Sequence, residues 1–152
     1  MNVRIQEVDF DLSSEVNRLR ANTPLVGAVV TFVGTVRAAN EGTPVSAMTL
    51  EHYAGMTEQS IEAIIARAKL RWPIADALVV HRVGTLLPGE QIVLVGVTAA
   101  HRGVAFQACE FIIDYLKTEA PFWKKEQTPE GARWVDARVI DDTARQKWEL
   151  SC

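Results

Sequence analysis

Cysteine is scarce in this chain: its 152 residues hold two, Cys109 and Cys152. Cys109 falls in an apolar helical pattern and Cys152 is the last residue. Neither belongs to a metal-binding pair or a disulfide framework, and this usage fits a reducing cytoplasm. The three histidines, His52, His81 and His101, are not spaced as metal ligands, so no metal site is expected. No apolar run approaches the 18 residues of a membrane helix. The first ten residues, MNVRIQEVDF, carry acids at positions 7 and 9 and no apolar stretch, so no signal peptide is expected. Neither sign of charge dominates. Sixteen basic against nineteen acidic residues leave a net charge of −3, whereas a nucleic-acid binder would show a basic excess. Motifs such as G-x-S-x-G, a Walker loop or H-E-x-x-H are missing too, which removes the common nucleophile, nucleotide and zinc signatures. With no repeat and no linker rich in Gly, Pro or Ser, residues 1–152 are expected to form a single domain.

What is present is the pattern of a globular α+β chain. Hydrophobic residues make up 48% of it, and a chain of this length buries roughly two-thirds of its unfolded surface, enough for a core without staples. Strands are expected over 3–8, 25–37, 45–53, 77–83 and 91–98, with the 45–53 strand antiparallel to the one before it. Residues 38–44 (AANEGTP) form a loop by composition, and Gly34 marks a bulge or a close backbone approach. Ser13 or Ser14 caps a short helix to about Arg20, with Val16 and Leu19 facing inward. Thr57 caps a second helix, whose inner face is Ile61, Ile64, Ile65 and Ala68 and which Pro73 ends. A third helix covers about 103–118, with Phe106, Cys109, Ile113 and Leu116 on one face, and Pro121 stops it. Residues 122–126 and 133–139 are short strands around the turn 128–131. The polar tail from about residue 141 forms a short helix or stays flexible. Strands in antiparallel-looking groups with helices between them place the chain in the α+β class.

Three places are suited to chemistry. His101 and Arg102 join a strand to a helix N-terminus, where backbone N–H groups favour an anion and a cation opposes the dipole by a few tenths of a kcal/mol. Arg102 either holds an anion there or turns into solvent, and its spacing favours neither. Arg37 at a strand end reaches a phosphate or carboxylate bidentately, or is an ordinary solvated arginine. In DYLKTEAPFWKKE (114–126), Lys117 lies in a last helical turn, where a cation complements the dipole. Lys124 and Lys125 are strand neighbours, so one can face a pocket while the other faces water. Trp123 beside them suits a core better than a ligand platform, and His52 and His81, inside strands, suit structural roles. From Lys117 to Arg138 there are five basic and four acidic residues, so a basic site must be assembled from distant parts of the chain.

At these residues the sequence resembles a known family. VVTFVGTVR (29–37), LEHYAGMTE (50–58), HRVGTLLPGE (81–90), GVTAAHRG (96–103), DYLKTEAPFWKKE (114–126) and TPEGARWVDAR (128–138) resemble, in order, the large catalytic subunit of molybdopterin synthase. The resemblance implies an α/β-hammerhead fold with antiparallel sheet and flanking helices. It also implies a sulfurtransferase of molybdenum cofactor biosynthesis, converting cyclic pyranopterin monophosphate to molybdopterin. The two dithiolene sulfurs come as the C-terminal thiocarboxylate of a small ubiquitin-like carrier subunit, so no cofactor and no cysteine of the enzyme are needed. The implied assembly is a cytoplasmic heterotetramer built on a homodimer of this subunit, with no nucleic acid or membrane partner. Carried over by position, Lys117 lies beside the carrier's thiocarboxylate as base, acid or electrostatic stabiliser, and Lys124 is a second active-site lysine. Arg37, His101 and Arg102 hold the phosphate and pterin. Arg138 belongs to the same basic pocket, and Phe32 lines the pocket or the carrier-tail channel. A lysine serving as base near neutral pH must be desolvated or set beside other cations. The competing reading is a docking module for a ubiquitin-like partner that does no chemistry; binding of the pterin without the carrier would separate the two. A nucleic-acid-binding domain, the third class, would show an affinity that collapses with salt.

Overall fold

The computed structural model describes residues 2–21, 23–135 and 139–150. In chain order the elements are β1 (Val3–Gln6), α1 (Leu12–Arg20), β2 (Ala28–Thr35), β3 (Ala39–Asn40), β4 (Thr43–Pro44), β5 (Ala47–His52) and α2 (Met56–Arg71). They continue with β6 (Ile74–Arg82), β7 (Gly84–Leu86), β8 (Gln91–Ala99), α3 (Arg102–Glu119), β9 (Phe122–Thr128), β10 (Gly131–Val135) and α4 (Val139–Leu150). Two four-stranded sheets result, ordered β1-β6-β8-β2 and β10-β9-β5-β7. Every pair in them is antiparallel except β1 with β6.

The first sheet is the scaffold. Its central strands β6 and β8 are apolar on both faces because both faces are covered. Leu78, Val80 and Leu94 pack with Phe10, Leu19 and Val33 on one side. Ala77, Val79, Val93, Val95 and Val97 pack on the other with α2 and α3. Ile61, Ile64, Ile65 and Ala68 are each at most 1% exposed, the inner face expected of α2. On α3 the buried stripe runs through Ala105, Ala108, Cys109, Phe111, Ile112, Tyr115 and Leu116. Phe106, expected to face inward, is 60% exposed. A period-3.6 stripe drawn through Cys109 and Leu116 also passes near Phe106, and only the neighbouring elements decide which edge of it is covered.

Several local expectations change. The N-cap of α1 is Asp11, whose carboxylate accepts from the Ser14 amide at 3.1 Å; the serines lie inside the helix. Gly55 precedes α2, and Thr57 is buried in its first turn, accepting from the Tyr53 amide and donating to the Pro121 carbonyl. Residues 38–44 are a two-stranded ribbon, turning through Glu41 (φ 50) and Gly42 (φ 82). That ribbon redirects the chain. β5 does not pair with β2; it crosses to the second sheet between β7 and β9. The last strand runs over Gly131–Val135, and Val139 already belongs to α4, so the tail is helical.

Close packing at the head of β2 depends on Gly27, whose amide donates to the Ala99 carbonyl at 2.9 Å. A Cβ on Gly27 would meet the Ala100 carbonyl oxygen at 2.3 Å. Gly27→Ala is expected to cost about 1–3 kcal/mol by forcing β2 away from β8. A denaturant midpoint equal to wild type would refute this.

Candidate active site

A cavity of about 270 Å³ lies between the two sheets at the C-terminal end of α3. Its position follows from local chain rules. α3 ends at Glu119 because Pro121 cannot continue it, so Lys117 is left exposed on the last turn. The chain then enters β9, where alternation sends Phe122, Lys124 and Glu126 to one face and Trp123 and Lys125 to the other. Lys124 thus enters the cavity, while Lys125 lies over the Trp134 ring, 5.3 Å from its centroid. Trp123, expected in a core, is on the outward face and 46% exposed. From the other side, the β2–β8 register shifts between Gly34 and Thr35, the expected bulge. A Cβ on Gly34 would stand 2.9 Å from Val93 Cγ1. Beyond the bulge the strand end carries Arg37 to the cavity wall, with Phe32 on the same lining.

The structure therefore brings Phe32, Arg37, Lys117 and Lys124 together. It does not bring His101 and Arg102 to them. His101 is the N-cap of α3 and Arg102 its first residue, both exposed. Fifteen residues of helix separate Arg102 from Lys117, about 22 Å along the axis. Arg138 lies outside the described residues.

The lining also holds polar residues that were not proposed as site residues from sequence, among them Asn40, Glu126, Asp141 and His81, which was expected to be structural. Glu126 is 2% exposed and accepts from Asn40 Nδ2 at 3.2 and 3.0 Å and from Arg133 Nε at 3.2 Å. The alternation that turns Lys124 inward turns Glu126 inward as well, a signal available in the sequence. Nothing local marks Asn40 or Asp141, which arrive from the ribbon and from α4.

Electrostatics sets Lys124 apart from a lysine in bulk water. The Lys124 ammonium is pushed down from 10.5 to about 8, first by burial and then by the Lys117 charge, with Asp141 and Glu126 pulling the other way. At neutral pH roughly one Lys124 in ten is then a free amine. His81 is pushed down to about 3, by burial foremost and then by Lys124, Lys117 and His52, against the hydrogen bond to the Arg82 carbonyl. Cys109, far from this chemistry in the core, has its thiol pushed up to about 12 by burial and by Glu110.

The lowered Lys124 value has a consequence for stability. Between pH 8 and 10.5 the unfolded chain binds more protons at this residue than the folded one. Lys124 therefore weakens the fold below pH 8, and the penalty fades as pH rises through that window. Lys124→Met is expected to raise the thermal midpoint at pH 7, by an increment that shrinks toward pH 10.5. A lower midpoint at pH 7 would count against a desolvated ammonium.

Comparison with known proteins now bears on this cavity. The sequence profile of the MoaE protein family matches residues 5–119. The chain belongs to the MoaE protein family. It is 61% identical over 148 residues to the molybdopterin synthase catalytic subunit of Ralstonia nicotianae, covering 97% of this chain and 84% of that protein. Its fold superposes on the molybdopterin biosynthesis MoaE protein from Burkholderia ambifaria with TM-score 0.85 and 58% identity, over 99% of both chains. A further structure, the protein–protein complex of subunits 1 and 2 of molybdopterin-converting factor from Helicobacter pylori, matches with TM-score 0.74. It covers 91% of this chain and 92% of that one at 21% identity, a likeness of fold. The family profile stops at Glu119, whereas the Ralstonia and Burkholderia matches extend over nearly the whole chain.

Proposed function

We propose that the Lys117–Lys124 cavity is the reaction chamber of a molybdopterin synthase catalytic subunit in molybdenum cofactor biosynthesis. The chain acts there as a single domain, in the cytoplasm, on cyclic pyranopterin monophosphate. Sulfur arrives as the C-terminal thiocarboxylate of a small ubiquitin-like carrier subunit, and no bound cofactor is called for. One observation carries this reading: two lysines and an arginine from three separate segments converge on one cavity, while the one described cysteine is a buried thiol unsuited to donate sulfur.

Each residue has a part. Arg37 grips phosphate through its planar fork. Exposed Lys117 meets the carrier's thiocarboxylate at the rim. Once that sulfur has bonded to the pterin side chain, the lysine stabilises the oxyanion that forms as water attacks the thioester carbon, the C–S bond breaks and the carrier leaves as its carboxylate. Lys124, partly neutral at working pH, exchanges protons with the pterin side chain while the two sulfurs are added. Phe32 supplies apolar wall. His101 and Arg102, too far along α3 to reach their own chain's cavity, serve the cavity of a second copy in a homodimer, and Arg138 adds to the same basic surround. The carrier reading is supported by the Helicobacter pylori chain of this fold having been solved with a second subunit.

The test is reconstitution of this chain with thiocarboxylated carrier and cyclic pyranopterin monophosphate. Dithiolene product that needs all three components is the expected result. Carrier binding without product would leave a docking module and overturn the assignment.

A further inference from the structure

Arg37 lies on the cavity wall, yet no described residue holds its side chain by a hydrogen bond or an ion pair. Where its guanidinium stands is therefore set by the backbone that carries it. The β2–β8 ladder stops short of that backbone, its last register being Thr35 with Gln91, just past the bulge at Gly34. Beyond the ladder another grip takes over. The Val36 amide donates to the Glu90 carbonyl at 2.9 Å, and the Val36 carbonyl accepts from the Gly89 amide at 2.8 Å. Both backbone groups of the residue before Arg37 are thus held by one turn, residues 87–90. On the other side the Ala38 carbonyl accepts from the Val45 amide at 2.8 Å, so the ribbon holds the residue after it.

Leu87-Pro88-Gly89-Glu90 is a type II turn. Pro88 presets its first corner, Gly89 takes a φ of 90° at the second, and the Glu90 amide closes it on the Leu87 carbonyl at 3.0 Å. The Glu90 side chain closes it again. Its Oε2 accepts from the Leu87 amide at 2.6 Å, and its Oε1 accepts from Arg82 Nη1 at 3.4 Å. Arg82 is buried and fixed to the scaffold. It donates to the Glu7 carbonyl through Nε and Nη2, at 3.1 and 3.0 Å, and to the Gln91 carbonyl through Nη1 at 3.0 Å, with the Asp9 carboxylate at 3.8 Å. A chain of contacts therefore runs from the first sheet through Arg82, the Glu90 carboxylate and the turn to Val36.

We propose that Glu90 is a positioning residue for Arg37: its carboxylate joins the turn to Arg82, and the turn fixes the strand end from which the Arg37 guanidinium meets the substrate's phosphate. The proposal rests on the phosphate-binding role given above to Arg37. Arginine meets a phosphate through two parallel N–H donors, a geometry that a backbone shift of about 1 Å spoils. Loss of the Glu90 carboxylate leaves Arg82 its carbonyl partners and leaves the Val36 side chain in its apolar cluster, so the fold survives while the placement of Arg37 is lost.

The test is kinetic, in the system reconstituted from this chain, thiocarboxylated carrier and cyclic pyranopterin monophosphate. Glu90→Ala is expected to raise the pterin KM about tenfold with kcat within about twofold, the mark of binding lost equally from ground and transition state. Glu90→Gln keeps an acceptor for the Leu87 amide and is expected to stay within about threefold of wild type. Arg37→Ala raises KM as well, and in that background Glu90→Ala adds nothing, because the group it positions is gone. A purely structural loosening would lower activity again in the double variant. Additive effects, or a folded Glu90→Ala chain with the wild-type KM, overturn the proposal. If Arg37→Ala raises KM and Glu90→Ala does not, only the proposal falls. If Arg37→Ala itself leaves KM unchanged, the phosphate role of Arg37 falls and the proposal goes with it. Should Glu90→Ala not fold, Gly89→Ala replaces it: the new Cβ meets nothing within 4 Å but is strained at a φ of 90°, which disturbs the same turn. A KM unmoved by Gly89→Ala then sinks the idea.

Discussion

Lys117→Ala is expected to reduce dithiolene formation by roughly two to three orders of magnitude, the range for removing one proton-transfer or charge-stabilising group. Folding should be almost untouched. The side chain is exposed on the last turn of α3, and the substitution forfeits only a dipole contribution of about 0.3 kcal/mol. Single-turnover assays with thiocarboxylated carrier, set beside a melting curve, read the two effects separately. Lys117→Arg then sorts the role. Arginine keeps the charge and cannot give up its proton, so substantial recovered activity means electrostatic stabilisation and none means proton transfer. Near-normal turnover in Lys117→Ala would remove this lysine from the mechanism.

Phe111→Ala is expected to be the most damaging single truncation for stability, at about 3–5 kcal/mol. Phe111 is 0% exposed and is the hub at which five side chains meet, the Arg67 guanidinium among them at 5.8 Å from the ring centroid. Trp72 and Trp148 stand edge-on at 5.3 and 5.6 Å, Tyr115 is tilted at 4.6 Å, and the Arg71 guanidinium lies 5.2 Å from the ring centroid. Against a total of about 5–15 kcal/mol, that loss leaves a marginal fold. The damage should reach the site. Trp148 anchors α4 to α3, donating from Nε1 to Asp114 Oδ2 at 2.7 Å, and α4 brings Asp141 to the cavity wall. A loss of less than about 1.5 kcal/mol, read from the urea midpoint shift multiplied by an unchanged slope, would show that the cluster relaxes around the gap.

Much of this architecture was legible in advance where a signal is periodic and local. The α2 face through Ile61 and Ala68, the breaks at Pro73 and Pro121, the bulge at Gly34 and the opposite orientation of Lys124 and Lys125 all came out as the spacing implies. The family resemblance, carried by six ordered segments, named the lysines, Arg37 and Phe32 that the cavity gathers. Other expectations failed for one shared reason. Which sheet β5 joins, whether Phe106 is covered and whether Trp123 is buried depend on what lies across a gap from them. A strand's alternation or a helix's stripe does not say what that neighbour is.

The sequence by itself determined the elements, the residues each presents on either face, and the kinds of side chain available for catalysis. The tertiary structure alone decided what those side chains become. It lowered the Lys124 ammonium to about 8 and pushed His81, buried on the same cavity, down to about 3. It also left His101 and Arg102 a helix length from Lys117. Periodicity is a property of a dozen neighbouring residues. Desolvation and charge–charge energy are sums over groups that the chain brings together from separate segments, so they exist only once the two sheets have closed on each other.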